Sequence, residues 1–138
     1  IDAVDVIEID WRDVQALAEE IDVMADAIVN HISVESQQFH DYSRRGATSV
    51  YAPLFLTLGD VYPDGATENE LLAIYRPRPG LPFTPMTLQD GSRRILWTTF
   101  APQQLDIDVR SDVGREYLNG ILQTFAAHSV RRVRRRCA

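Results

Sequence analysis

The chain contains no lysine, and its single cysteine, Cys137, is the penultimate residue. One cysteine excludes an internal disulfide and a cysteine-built zinc site, so any disulfide would join two chains. No apolar run approaches the roughly 18 to 20 residues of a membrane span, and the opening Ile1, Asp2, Ala3 lacks the basic-then-apolar layout of a signal peptide. A soluble chain, cytoplasmic or in a virion, is the expectation, and the missing initiator Met leaves an upstream leader open. There is no G-x-S-x-G elbow, G-x-G-x-x-G turn or G-x-x-x-x-G-K-[ST] loop, which removes the local signatures of the commonest nucleophile, dinucleotide and phosphate sites.

The charge that is present is sorted by sign. All 14 cations are arginine, and five fall in the last eight residues: Arg131, Arg132, Arg134, Arg135 and Arg136. Without them, nine arginines face 20 acids, a net of −11 over residues 1–130. The first thirty residues hold nine acids against Arg12 alone. With 138 residues, 45% hydrophobic and 25% charged, the composition suits one globular core. The expected organisation is therefore a single α+β domain over residues 1–130 and an arginine-rich tail over residues 131–138.

Residues 3–9 are rich in β-branched side chains and read as a strand. Asp10 caps the helix that follows, with Asp13 at N3. Val14, Leu17, Ile21, Met24, Ile28 and Ile32 recur at helical spacing. Continued through Phe39 and Tyr42 to Arg45, this helix would cover about 35 residues and about 52 Å, against a radius of gyration of about 14 Å for a domain of this length. It must break or project, with the break expected at residues 32–36 and an end at Gly46. Residues 49–58 and 70–76 read as strands joined by a turn at Pro63, Asp64 and Gly65. Four prolines keep residues 77–85 in an extended surface loop. Asp90 and Gly91 form a hairpin turn between residues 86–89 and 93–100. Residues 104–110 alternate, with Leu105, Ile107 and Val109 inward. A last helix, capped by Ser111 or Asp112, carries its stripe through Phe125 to Val130 and Val133, into the arginines. The fold class is α+β: a long N-terminal helix, an antiparallel sheet of about four to five strands, and a C-terminal helix with a basic tail.

Several residue groups invite a chemical reading. The tail guanidiniums suit phosphate or the acidic face formed by Glu19, Glu20, Asp22 and Asp26, in a head-to-tail contact with a neighbouring copy. Arg76, Pro79 and Pro82 match the RxxPxxP spacing of a polyproline ligand loop. His31 and Glu35, one helical turn apart, supply two ligands, too few for a metal site. His40 and Asp41 diverge on a helix. Trp97, Tyr51, Tyr75 and Phe100 read as core, or with Arg94 as the lining of a small pocket.

The helix, sheet, helix order is shared by small sensor domains of the PAS and Cache type, an analogy of layout alone. With no catalytic constellation, the leading expectation is a non-catalytic structural or assembly subunit, such as a phage or virus particle component, self-associating through its acidic N-terminal helix and basic tail into an oligomer. No cofactor or metal is expected. The alternatives are a small-molecule-binding sensor domain and a nucleic-acid-binding accessory protein using the tail.

Overall fold

A computed structural model describes residues 9–76 and 79–136. The chain forms two compact units, one spanning Val29–Tyr117 and the other made from its two ends, Ile1–Ile28 and Leu118–Ala138.

The Val29–Tyr117 unit is built on two antiparallel ladders. β2 (His31–Ser33) pairs with β5 (Gln104–Asp106), and β3 (Phe83–Thr87) with β4 (Arg93–Trp97). Residues 54–57 lie between them. Phe55 bridges Ile107 and Thr57 bridges Leu96. The Leu56 N–H donates to the Asp106 carbonyl at 3.0 Å, and the Trp97 N–H donates to the Leu56 carbonyl at 2.8 Å. Leu54, Phe55, Leu96 and Leu105 are the largest fully buried side chains, each worth about 1.5–3 kcal/mol of transfer free energy. Around them α2 (Gln37–Arg45) lays Tyr42 flat on Phe55 at 5.1 Å and Phe39 edge-on at 5.5 Å. Ser36 caps α2 by accepting from the Phe39 N–H, and Gly46 ends it at φ +55°, a left-handed conformation that glycine adopts without Cβ strain. Asp90 and Gly91 do make the β3–β4 turn.

The unit of the two ends carries α1 (Trp11–Glu20), β1 (Met24–Ile28) and β6 (Arg132–Arg136). Asp10 accepts from the Arg12 and Asp13 N–H groups, the cap expected from the sequence, and the Asp13 carboxylate in turn accepts from the Asp10 N–H, which completes a reciprocal box. β1 and β6 run parallel, Asp26 opposite Arg134. α5 (Asp112–Ala127) begins in one unit and ends in the other; the Ser111 hydroxyl accepts from the Gly114 N–H at 2.9 Å.

Several expectations need correction. Among the described residues there is no long N-terminal helix: α1 stops at Glu20, and Met24–Ile28 and His31–Ser33 are strands. The apolar spacing from Val14 to Ile32 spans both kinds of element, and β1 finds its partner more than a hundred positions away, beyond any local pattern. Within residues 49–58 there is one 3-10 turn, Ala52–Leu54, only residues 55–57 extend, and Leu58 opens the short helix α3 (Leu58–Val61). Residues 70–76 contribute to a helix, α4 (Glu68–Ala73), because Thr67 and Glu70 form a capping box: the Thr67 hydroxyl accepts from the Glu70 N–H while the Glu70 carboxylate takes the Thr67 N–H. The strand β3 includes Phe83 to Pro85, assigned to the loop. Val109 faces outward, 52% exposed. The tail leaves α5 at Ser129 (φ +62°) and becomes strand β6 rather than more helix. The strand expected at residues 3–9 falls, Ile9 aside, outside the described residues, as do Pro77 and Arg78 of the proline loop.

Truncating Leu96 to Ala should cost about 2–5 kcal/mol of unfolding free energy through the cavity it leaves, whereas Leu72→Ala, on a side chain that is 63% exposed, should stay within about 0.5 kcal/mol; paired urea unfolding curves decide this.

Candidate functional site

The chemistry-bearing residues that the Val29–Tyr117 unit gathers lie at the β2–β5 ladder. His31 stands directly opposite Asp106 in the register, a placement that brings cross-strand side chains together on one face. Phe100 lies against the imidazole, ring centroids 5.3 Å apart. The His31 Nδ1 is buried without a hydrogen-bond partner. Asp106 is held from the other side: the Thr99 N–H donates to one carboxylate oxygen at 3.2 Å and the Thr99 hydroxyl donates to the other.

Burial dominates the electrostatics of this pair. Loss of water pushes the Asp106 carboxyl above its ordinary value, with the two Thr99 hydrogen bonds and His31 pulling the other way. The same desolvation depresses His31, against the upward pull of the Asp106 charge.

Next to this pair lies a cleft of about 260 Å³ lined by Thr99 and Phe100 on one side and by Arg76, Pro79, Gly80 and Pro82 on the other. The Thr98 N–H donates to the Pro82 carbonyl at 2.7 Å, and the Thr84 and Thr98 hydroxyls meet at 2.9 Å, which ties the proline loop to β4. The polyproline-motif residues Arg76, Pro79 and Pro82 thus become one wall of the cleft. An arginine, an aromatic ring and hydroxyls around a half-enclosed space suit a polyhydroxylated ligand.

The remaining candidates separate. Glu35 approaches His40 at 3.9 Å rather than His31. Asp41 accepts from the Ser49 hydroxyl at 2.6 Å, the bond that chiefly holds its carboxyl low, and lies 3.6 and 3.5 Å from Arg44 and Arg45, which add to the lowering. No group of three or more metal-ligating side chains converges among the described residues. Arg94 lines a second cavity of about 350 Å³ with Tyr42, Asp60 and Asp108, while Trp97 packs on Phe83 and Tyr62, and Tyr75 is 81% exposed. In the other unit Arg134 binds Asp26 at 2.8 Å, and Arg131 and Arg132 lie 3.8 and 3.5 Å from Asp22. Those acids and arginines therefore meet within one chain; Glu19 and Glu20 are exposed at the end of α1. Arg135 and Arg136 occupy β6 opposite Ala27 and Ile28. Sequence reasoning had placed Asp106 on the wet face of its strand and had passed over Thr99, since nothing local in QLDID marks a carboxylate that another segment will cover.

The fold is that of segments of glycoside hydrolase family 13 enzymes. An isomaltulose synthase from Erwinia rhapontici matches 91% of the chain with a TM-score of 0.68 at 20% identity, a likeness of fold alone. Sucrose 6F-phosphate phosphorylase from Thermoanaerobacter thermosaccharolyticum matches 89% of the chain, and 26% of its own length, with a TM-score of 0.83 and 32% identity. In sequence, the sucrose phosphorylases of Agrobacterium vitis and Bifidobacterium adolescentis are each 51% identical over 124 residues, 90% of this chain. The chain spans about a quarter of the length of these relatives, 25% and 24%. No family model matches it. These findings overturn the expectation of a non-catalytic structural subunit or virion component, and with it the sensor and nucleic-acid alternatives and the expectation that the chain has no connection to an enzyme. Charge sorting along the sequence suggested an interface because the two ends were read as separate surfaces, whereas they pair within one unit.

Because the folded-state value of Asp106 lies above that of the unfolded chain, its contribution to stability is full below the ordinary carboxylate range and is lost as pH rises through the raised value. Thermal melts across pH 3 to 7 should show this loss, and Asp106→Asn should remove that part of the profile and melt higher than the parent at neutral pH; an unchanged profile would reject the assignment.

Proposed function

We propose that this chain is a segment of a sucrose-phosphorylase-type enzyme and that Arg76, Thr99 and Phe100 form a wall of its glycoside-binding cleft, with His31 packed behind Phe100. The observation that carries the reading is 51% identity over 124 residues to two sucrose phosphorylases, taken together with a cleft whose lining suits a sugar. The reaction of such an enzyme transfers a glucosyl group from sucrose to phosphate. The glycosidic C–O bond breaks as a carboxylate nucleophile bonds to the anomeric carbon and the departing fructose oxygen takes a proton from the acid; a phosphate oxygen then displaces the carboxylate. Glycosyl transfer of this kind works through paired carboxylates. Asp106, tied to Thr99 and outside the lining of the cleft, is not one of that pair, so the segment supplies sugar-holding contacts and the acid and nucleophile come from the part of the polypeptide that the relatives have beyond it.

The exposure of the terminal unit supports the same reading. Ile9, Leu17, Ile21, Met24 and Ile28 are between 49% and 70% exposed, and apolar surface gathered this way marks a face that other chain covers.

The test exchanges residues 9–130 of this chain for the matching segment of the Bifidobacterium adolescentis enzyme and measures sugar 1-phosphate formed from sucrose and phosphate. The chimera should be active, and Arg76→Ala within it should raise KM for sucrose by on the order of 10-fold with kcat less affected, the scale for losing one hydrogen-bonding group to a bound sugar. A folded but silent chimera would overturn the proposal.

A further inference from the structure

We propose that the cavity of about 350 Å³ bounded by α2, residues 52–57 and the start of β4 is a second ligand site, and that it takes a small neutral polyol. Its volume falls within the roughly 300–1,000 Å³ usual for small-molecule sites. No residue lines both this cavity and the cleft beside Thr99 and Phe100, and Arg94 stands near one end of β4 whereas Thr98 lies past the other. The site therefore stands whether or not that cleft holds a glycoside.

Backbone fixes the walls. The Asp108 N–H donates to the Leu54 carbonyl at 2.9 Å, and Thr57 bridges Leu96, so β4, residues 54–57 and the stretch after β5 cannot shift independently. Tyr42, 3% exposed, and Phe55, 1% exposed, supply the aromatic part of the lining, stacked at 5.1 Å. Burial raises the Tyr42 phenol above its ordinary value, which keeps it a neutral hydrogen-bonding group.

The polar groups decide the kind of ligand. Arg94 is half-buried. Its guanidinium donates to the Arg93 carbonyl at 2.9 Å and reaches the Tyr42 hydroxyl, and among the described residues no ion pair engages it. A guanidinium carries several N–H donors in a fixed fork, so donors remain for a ligand. Asp108 differs, because Arg110 binds both of its oxygens at 2.9 Å and meets its charge. Asp60 takes the Thr57 N–H at 2.9 Å and the Thr57 hydroxyl at 2.6 Å on the same oxygen, Oδ2, which leaves the other oxygen to accept. The lining thus offers uncommitted donors on a cation and an uncommitted acceptor on a carboxylate. An anion would gain Arg94 and be repelled by Asp60, and a cation would meet the reverse. A neutral ligand whose hydroxyls both accept and donate satisfies the two together.

The test is an amide and methyl NMR titration of the 138-residue chain with D-glucose, and separately with sodium acetate and methylammonium chloride. The proteins are the parent, Arg94→Gln, Arg94→Lys, Asp60→Asn and, as a control at the other cleft, Arg76→Ala. Leu96 and Leu105 methyl signals report the fold. In the parent, glucose should shift the Tyr42, Thr57 and Arg94 signals along a saturable curve, and neither salt should do so. Arg94→Gln and Asp60→Asn should each weaken that binding by on the order of 10-fold, and Arg76→Ala should leave it unchanged. Where Arg94→Gln disturbs the Leu105 methyls, Arg94→Lys, which keeps the charge and loses the fork, takes its place and should also weaken binding. No saturable shift of these signals with glucose would overturn the proposal, as would a curve that neither the Arg94 nor the Asp60 variants alter. Acetate binding more tightly than glucose would make this an anion site and reject the polyol.

Discussion

The backbone of residues 54–57 is the constraint on which the larger unit depends. Each ladder alone is a two-stranded ribbon, and such ribbons are marginal in water. By hydrogen-bonding to Asp106 and Asp108 on one side and to Trp97 on the other, this short stretch joins them and places Leu54 and Phe55 where both can cover them. The same join fixes the distance between β4 and β5, and hence the position of Thr99 relative to Asp106. Packing and site geometry share one piece of backbone.

The terminal unit follows a different logic. Its strands pair in parallel, yet β6 reads RVRRR, which no doubly covered sheet would bury without great cost. The cost is met locally: Asp26 opposite Arg134 in register, and Asp22 beside Arg131 and Arg132. Such solvent-facing pairs specify register more than they add stability. The acidic start and basic end of the chain are thus two halves of one ladder.

For function, the two levels of evidence are complementary. Relatedness is what supports the proposed class of reaction, since the chain is 51% identical over 124 residues to two sucrose phosphorylases of which it spans about a quarter. Physical chemistry supplies the division of labour within the segment: a cleft walled by the proline loop, an aromatic ring on a depressed imidazole, and a carboxyl raised by burial. The exposed apolar residues of the terminal unit agree with a piece that is completed by more chain.

By itself the sequence determined the features that short-range chemistry decides. The Asp10–Asp13 cap, the glycine end at Gly46, the Asp90–Gly91 hairpin, the inward Leu105 and Ile107 and the Ser111 cap of the last helix are all set by neighbours within a few positions, and all were legible. What tertiary structure decided is everything that depends on a distant partner. Whether Met24–Ile28 is helix or strand turns on Arg132–Arg136, and whether the tail is helix or strand turns on β1. The site was illegible for the same reason: His31, Arg76, Thr99 and Asp106 are spread over seventy-odd positions, share no motif, and acquire chemical meaning only when register and burial put an imidazole, a carboxyl and a hydroxyl into one partly dry space.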